Sequence, residues 1–179
     1  MKKWLISFTA VLFVLSGCSS NESHEGHSSE EMDHAGHGSS DGMLPEGLKD
    51  AENPKFPVDS DITIAHGHMD GMEGAVGKVV GAYDTTAYIV TYESVESGEV
   101  VEDHKWVIHE ELVEADQEEF SAGDEVTLDA DHLEGMKGAT ATIDEARETV
   151  VYMIDYTTTD GDEITNHKWV TEDELSLNE

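Results

Sequence analysis

The chain has 179 residues, enough for one ordinary domain or two small ones, and 41 acidic residues against nine basic ones give it a net charge of −32 with histidines neutral. Such a surface repels a phosphate backbone, which excludes nucleic acid as a partner, and it attracts cations. A single cysteine, Cys18, excludes both a disulfide framework and a thiolate metal cluster.

In chain order, Lys2 and Lys3 precede an apolar run from Trp4 to Leu15 that is short for a membrane span. The run ends in Leu15-Ser16-Gly17-Cys18, which resembles a bacterial lipobox. Residues 1–17 are therefore expected to be a signal peptide, excluded from fold reasoning. The resemblance implies cleavage before Cys18, lipidation of its thiol, and attachment to the outer face of the bacterial cell membrane.

Residues 18–55 are expected to form a disordered tether, because Ser, Gly, His and acids dominate and little could pack. "SHEGHSSEEMDHAGH" places His24, His27, His34 and His37 with Met32 in fifteen residues. In a segment without a core, donor density matters more than spacing, and a histidine-rich tract reads as metal binding on composition. The bland alternative is a polar linker that happens to use histidine.

From Phe56 the chain repeats itself. "FPVDSDITIAHGHMDGMEGA" (56–75) matches "FSAGDEVTLDADHLEGMKGA" (120–139) at an offset of 64. One residue is then dropped, and "HKWV" at 104–107 meets "HKWV" at 167–170 at an offset of 63. A match this long marks a duplication, read as modules 56–117 and 118–179. Each copy reads as β: "DITIA" alternates, "AYIVTY" and "VVYMIDY" are β-branched and aromatic, and "ESGE" and "TDGDE" are turns. The expected fold is mostly β, two tandem small SH3-like β-barrel modules after the tether.

His68 with Met72, and His132 with Met136, lie in "HMDGM" and "HLEGM", loops between two strands. Imidazole with thioether is a soft donor set, and thioether favours Cu(I). The first copy adds His66 and Met69, whereas the second has Ala130 and Leu133 at the same places. The competing reading makes each loop histidine a backbone partner and each methionine a plug. His104 and His167 open the "HKWV" strands, on the same face as Trp106 and Trp169, and could complete the sites or cap the fold. His109 has no counterpart, since Glu172 stands there. No nucleophile, zincin or phosphate-loop motif occurs, so no enzyme is expected.

With the lipobox and the tract, the duplicated "HMDGM…GAY…YIVTY…HKWV" pattern closely resembles the YdhK family of bacterial surface proteins over residues 56–175. Some relatives are copper-binding lipoproteins of copper-resistance systems. The resemblance implies an extracytoplasmic protein that sequesters copper, chiefly Cu(I), with a copper exporter or metal transporter as the protein it would serve. Two other readings stay open: a structural or adhesive cell-wall module, and a zinc-binding lipoprotein that feeds a transporter. Copper predicts that the methionines matter, zinc that only histidines and carboxylates do, and adhesion that neither does.

Overall fold

The structure is a computed structural model and describes residues 39–178. Cys18 and the tract residues His24, His27, Met32, His34 and His37 lie outside the described residues. Eight strands follow in order: β1 Lys49–Asp50, β2 Asp61–Ile64, β3 Val76–Glu93, β4 Val100–Ile108, β5 Glu125–Thr127, β6 Thr140–Thr157, β7 Glu163–Thr171 and β8 Leu175–Leu177. Short 3-10 turns at His109–Glu111 and Glu172–Glu174 close β4 and β7. The fold is mostly β and carries the two tandem repeats expected from the sequence.

The two long strands organise everything else. β3 and β6 are rich in Val, Ile, Tyr and Thr, the residues that fit a pleated, half-buried surface. At 18 residues each, they are far longer than the usual five or six or so. They pair antiparallel from Val76↔Thr157 to Tyr92↔Ala141. A strand of this length runs past one core and into the next. The first half of β3 pairs with β2, and its second half with β4; β6 does the same with β5 and β7.

The apolar cores consequently do not follow the repeat boundaries. One core joins Phe56, Ile62, Ile64 and Met72 to Tyr152, Tyr156, Val170 and Leu175. The other joins Tyr88, Tyr92, Val107 and Leu112 to Val126, Leu128, Met136 and Ile143. The first half of each repeat thus packs on the second half of the other. Pairing shows the same exchange, with β2 bonded to β8 and Leu112 bridged to Leu128. All eight strands belong to one hydrogen-bonded sheet, where the sequence suggested two separate modules split between 117 and 118. A third cluster, with Tyr83, Ile89, Trp106, Val151, Met153 and Trp169, lies on the central strands.

Part of the expected tether, 18–55, is held by the fold: Ser40 bonds Thr165, β1 pairs with β3 and Leu48 packs on the third cluster. Few apolar residues are needed when backbone hydrogen bonds to existing strands satisfy the segment.

Candidate histidine site

The loops "HMDGM" and "HLEGM" turn on glycines with left-handed backbone, Gly71 at φ 75° and Gly135 at φ 76°. Each turn sends its methionine inward. Met72 and Met136 are 0% exposed and sit in the first and second cores. The sequence reading expected loop thioethers that would be exposed unless something covered them. Burial among aliphatic and aromatic side chains is the outcome, as the packing alternative requires.

The histidines take the other direction. His68 and His132 each meet a buried carboxylate from a 3-10 turn of the opposite core half. His68 Nδ1 lies 2.8 Å from Glu174 Oε1, and His132 Nε2 lies 2.9 Å from Glu111 Oε1. Both pairs are almost sealed, with side-chain exposures of 6% and 8% for His68 and Glu174, and 8% and 8% for His132 and Glu111.

The second oxygen of each carboxylate is used too. Glu174 Oε2 accepts from Trp106 Nε1 at 2.8 Å and from the Thr171 amide at 2.7 Å, and it shares the single proton of the Thr171 hydroxyl, 3.0 Å away, with Asp173 Oδ1 at 2.8 Å. Glu111 Oε2 accepts from Trp169 Nε1 at 3.0 Å and from the Ile108 amide at 3.2 Å. Burial pushes the Glu174 carboxyl up, but the His68 bond and charge, the Thr171 amide and the Trp106 indole outweigh it and hold the group below the usual carboxylate range. An ionised carboxylate only accepts, so the facing His68 nitrogen carries the proton.

His104 and His167 complete a quartet. A left-handed residue, Asp103 at φ 53° or Asn166 at φ 52°, precedes each of them. Asp and Asn are the non-glycine residues that tolerate this conformation best. The strand register shifts beside them, and His104 and His167 turn inward, 6% and 0% exposed. The His68 and His167 ring centroids are 5.7 Å apart with planes at 29°, and those of His104 and His132 are 6.0 Å apart at 34°. Tyr156 meets His167 edge-on at 5.5 Å, and Tyr92 meets His104 at 5.9 Å. Burial, reinforced by repulsion from His132 and His68, lowers His104 to about 3, so it is a neutral imidazole at any physiological pH.

The remaining candidates lie apart. His66 is exposed, and Met69 is half-buried against the first core. His109 bonds the Tyr88 hydroxyl at 3.1 Å and the Ala115 carbonyl at 3.2 Å, away from the quartet. Among the described residues, no group of three or more His, Cys, Asp or Glu side chains is placed to hold a metal ion. What the geometry offers is two imidazole pairs. In each pair one imidazole is oriented by a buried carboxylate, the arrangement that fixes tautomer and raises basicity in metal-ligating histidines.

Glu111 and Glu174 were missed by sequence reasoning, because 41 acidic residues hide any two. Their signal was the repeat itself: Glu111-Leu112 and Glu174-Leu175 keep the 63-residue offset of "HKWV".

Residues 58–109 and 122–172 match a family model described as "Protein of unknown function (DUF1541)". The chain is 51% identical over 181 residues to the uncharacterized protein YdhK of Bacillus subtilis (strain 168), covering 96% of this chain and 86% of YdhK. A crystal structure of that DUF1541 family protein is similar at a TM-score of 0.76 and 54% identity, covering 83% of this chain and 99% of that one. The solution NMR structure of the YdhK C-terminal domain from B. subtilis is similar at a TM-score of 0.66 and 53% identity, covering 69% and 94%. With both repeats matched and this level of identity across nearly its whole length, the chain belongs to the DUF1541 family and carries two tandem copies of its repeat.

Proposed function

We propose that the protein is an extracytoplasmic, lipid-anchored, non-enzymatic binder that sequesters copper, chiefly Cu(I), at the cell surface. The observation that carries this reading is the pairing of buried imidazoles, His68 with His167 and His104 with His132, each pair backed by a buried carboxylate. A neutral imidazole is the ligating form, and burial keeps His104 in it. Two donors per pair suit Cu(I), which accepts two-coordinate nitrogen ligation, better than zinc, which wants four ligands. The net charge of −32 raises the local concentration of cations around the sites.

Imidazole, not thioether, is the donor in this site. Met72 and Met136 are packing residues in this reading, and the Cys18 lipid anchor and the histidine tract serve location and capture. The test is competition titration of the chain from residue 19 onward with Cu(I), Cu(II) and Zn(II), with and without His68, His104, His132 and His167 replaced by Ala. Loss of at least tenfold in Cu(I) affinity at the folded sites supports the reading. Unchanged Cu(I) binding in a folded quadruple variant removes the quartet from it.

A further inference from the structure

The chain has 41 acidic residues, yet among the described residues only two carboxylates are buried, Glu111 and Glu174. Each of them sits at one imidazole pair, 2.8 Å from His68 Nδ1 for Glu174 and 2.9 Å from His132 Nε2 for Glu111. The acids beside them face water and have cations of their own. Asp173 is 70% exposed and pairs with Arg147 at 3.0 Å. Asp129, whose amide bonds the Glu111 carbonyl, is 56% exposed and pairs with Lys137 at 2.8 Å. Each imidazole pair therefore has one sealed negative charge and no more.

That single charge sets a limit on what the pair can hold. The cost of burying an ion grows with the square of its charge, whereas one carboxylate offsets it only in proportion to the charge. Two neutral imidazoles, one carboxylate and one singly charged ion sum to zero. A doubly charged ion leaves a positive charge among side chains that are 6–8% exposed, with no second buried carboxylate to meet it. The three N–H donors on each carboxylate keep it in place as the charged form.

We propose that Glu111 and Glu174 are the counter-ions of the two imidazole pairs, and that they restrict the pairs to soft, singly charged cations, Ag(I) as well as Cu(I). The inference rests on the copper reading and adds to it the rule by which ions are chosen: charge, and not the number of donors alone. Neither carboxylate needs to touch the ion, since each acts across the imidazole that it holds.

From residue 19 onward the chain has two tryptophans, Trp106 and Trp169, whose indole N–H groups donate to Glu174 and Glu111. Their two NMR signals report the two sites separately. The chain, with His24, His27, His34 and His37 changed to Gln and Met32 to Leu, is titrated with silver nitrate and with mercuric nitrate in chloride-free buffer. Ag(I) and Hg(II) are both soft and both accept two nitrogen donors, so charge is the difference that matters. Each affinity is taken relative to the bis(imidazole) complex of the same ion in water. Ag(I) should move both indole signals, and the chain should favour Ag(I) over Hg(II) by about tenfold or more beyond the preference of imidazole itself. A preference equal to that of imidazole overturns the proposal, and so does Ag(I) that leaves both signals in place. In a folded Glu174→Gln variant, Hg(II) affinity at the His68 site should fall by about the square of the factor lost for Ag(I), because the missing attraction scales with charge. Equal losses for the two ions mean that Glu174 only supports the ring, which also overturns the proposal. If that variant does not fold, the preference of the parent chain decides. Cu(I) held at the quartet without the charge preference leaves the copper reading standing, whereas a quartet that takes none of the three ions ends both.

Discussion

The His68–Glu174 and His132–Glu111 pairs descend from one duplicated motif and differ in what surrounds them. Each carboxylate takes three donated hydrogen bonds, and Glu174 also shares the single Thr171 hydroxyl proton with Asp173, which Glu111 cannot match because Ile108 occupies the position equivalent to Thr171 and has no hydroxyl. His68 engages its carboxylate through Nδ1 and His132 through Nε2. The stretch from Ser39 to Pro45 borders a cavity beside His132 and Glu111. What both sites keep is the carboxylate with its imidazole, indole and backbone-amide donors, and this shared unit is what both halves of the fold need. Each carboxylate also accepts an indole N–H from a strand of the other core, Glu174 from Trp106 on β4 and Glu111 from Trp169 on β7, so each ties the two cores together.

Removing a carboxylate should have the largest effect. Glu174→Ala leaves the His68, Trp106 and Thr171 donors buried without their acceptor, and should cost about 3–5 kcal/mol. Glu111→Ala strands three donors as well, without the shared hydroxyl, and should cost less by under about 1 kcal/mol. Urea unfolding of the two variants checks both the size and the order.

Acid should act next. His104 takes up a proton at about 3 when folded but near 6.5 when unfolded. Between those values the unfolded chain binds more protons, so stability falls as pH drops from 6.5 towards 3, by about 5 kcal/mol at most. The depressed Glu174 works in the same direction: its contribution is present above the unfolded carboxylate pKa and is lost as pH falls through the lower folded value. Melting temperatures of the metal-free chain against pH should slope this way, and His104→Gln should flatten the upper part of the slope.

Thr171→Val removes the extra hydroxyl beside Glu174. It should cost about 1 kcal/mol and bring the Glu174 site to the donor count of the Glu111 site. In a double-mutant cycle with Glu174→Gln, the two changes should couple, whereas Thr171→Val and Glu111→Gln should add.

The smallest effect belongs to the methionines. Met72→Leu and Met136→Leu conserve volume in the two cores and should each cost less than about 1.5 kcal/mol. Cu(I) affinity should stay at the parent value, which a competition titration reads directly.

The β content, the duplication and the four histidines of the quartet were legible because each shows in residue type or in the repeat. The exchange of halves was not. A β-branched, aromatic run tells that a strand forms, but it does not tell that 18 residues cross from one core to another. The fate of Met72 was illegible for a related reason: a Gly-rich loop reads as exposed, while the left-handed turn at Gly71 aims the next side chain inward. Asp103 and Asn166 did carry a signal, as the residue types suited to left-handed backbone, just before the histidines that they turn into the interior.

The central claim is that copper is held by imidazole pairs in the fold and by no thioether. X-ray absorption of the Cu(I)-loaded chain tests it most directly, with the tract removed as a ligand source by changing His24, His27, His34 and His37 to Gln and Met32 to Leu. Two nitrogen neighbours per copper and no sulfur are predicted. A copper–sulfur shell that disappears on Met72→Leu with Met136→Leu would contradict the account and return those methionines to the metal.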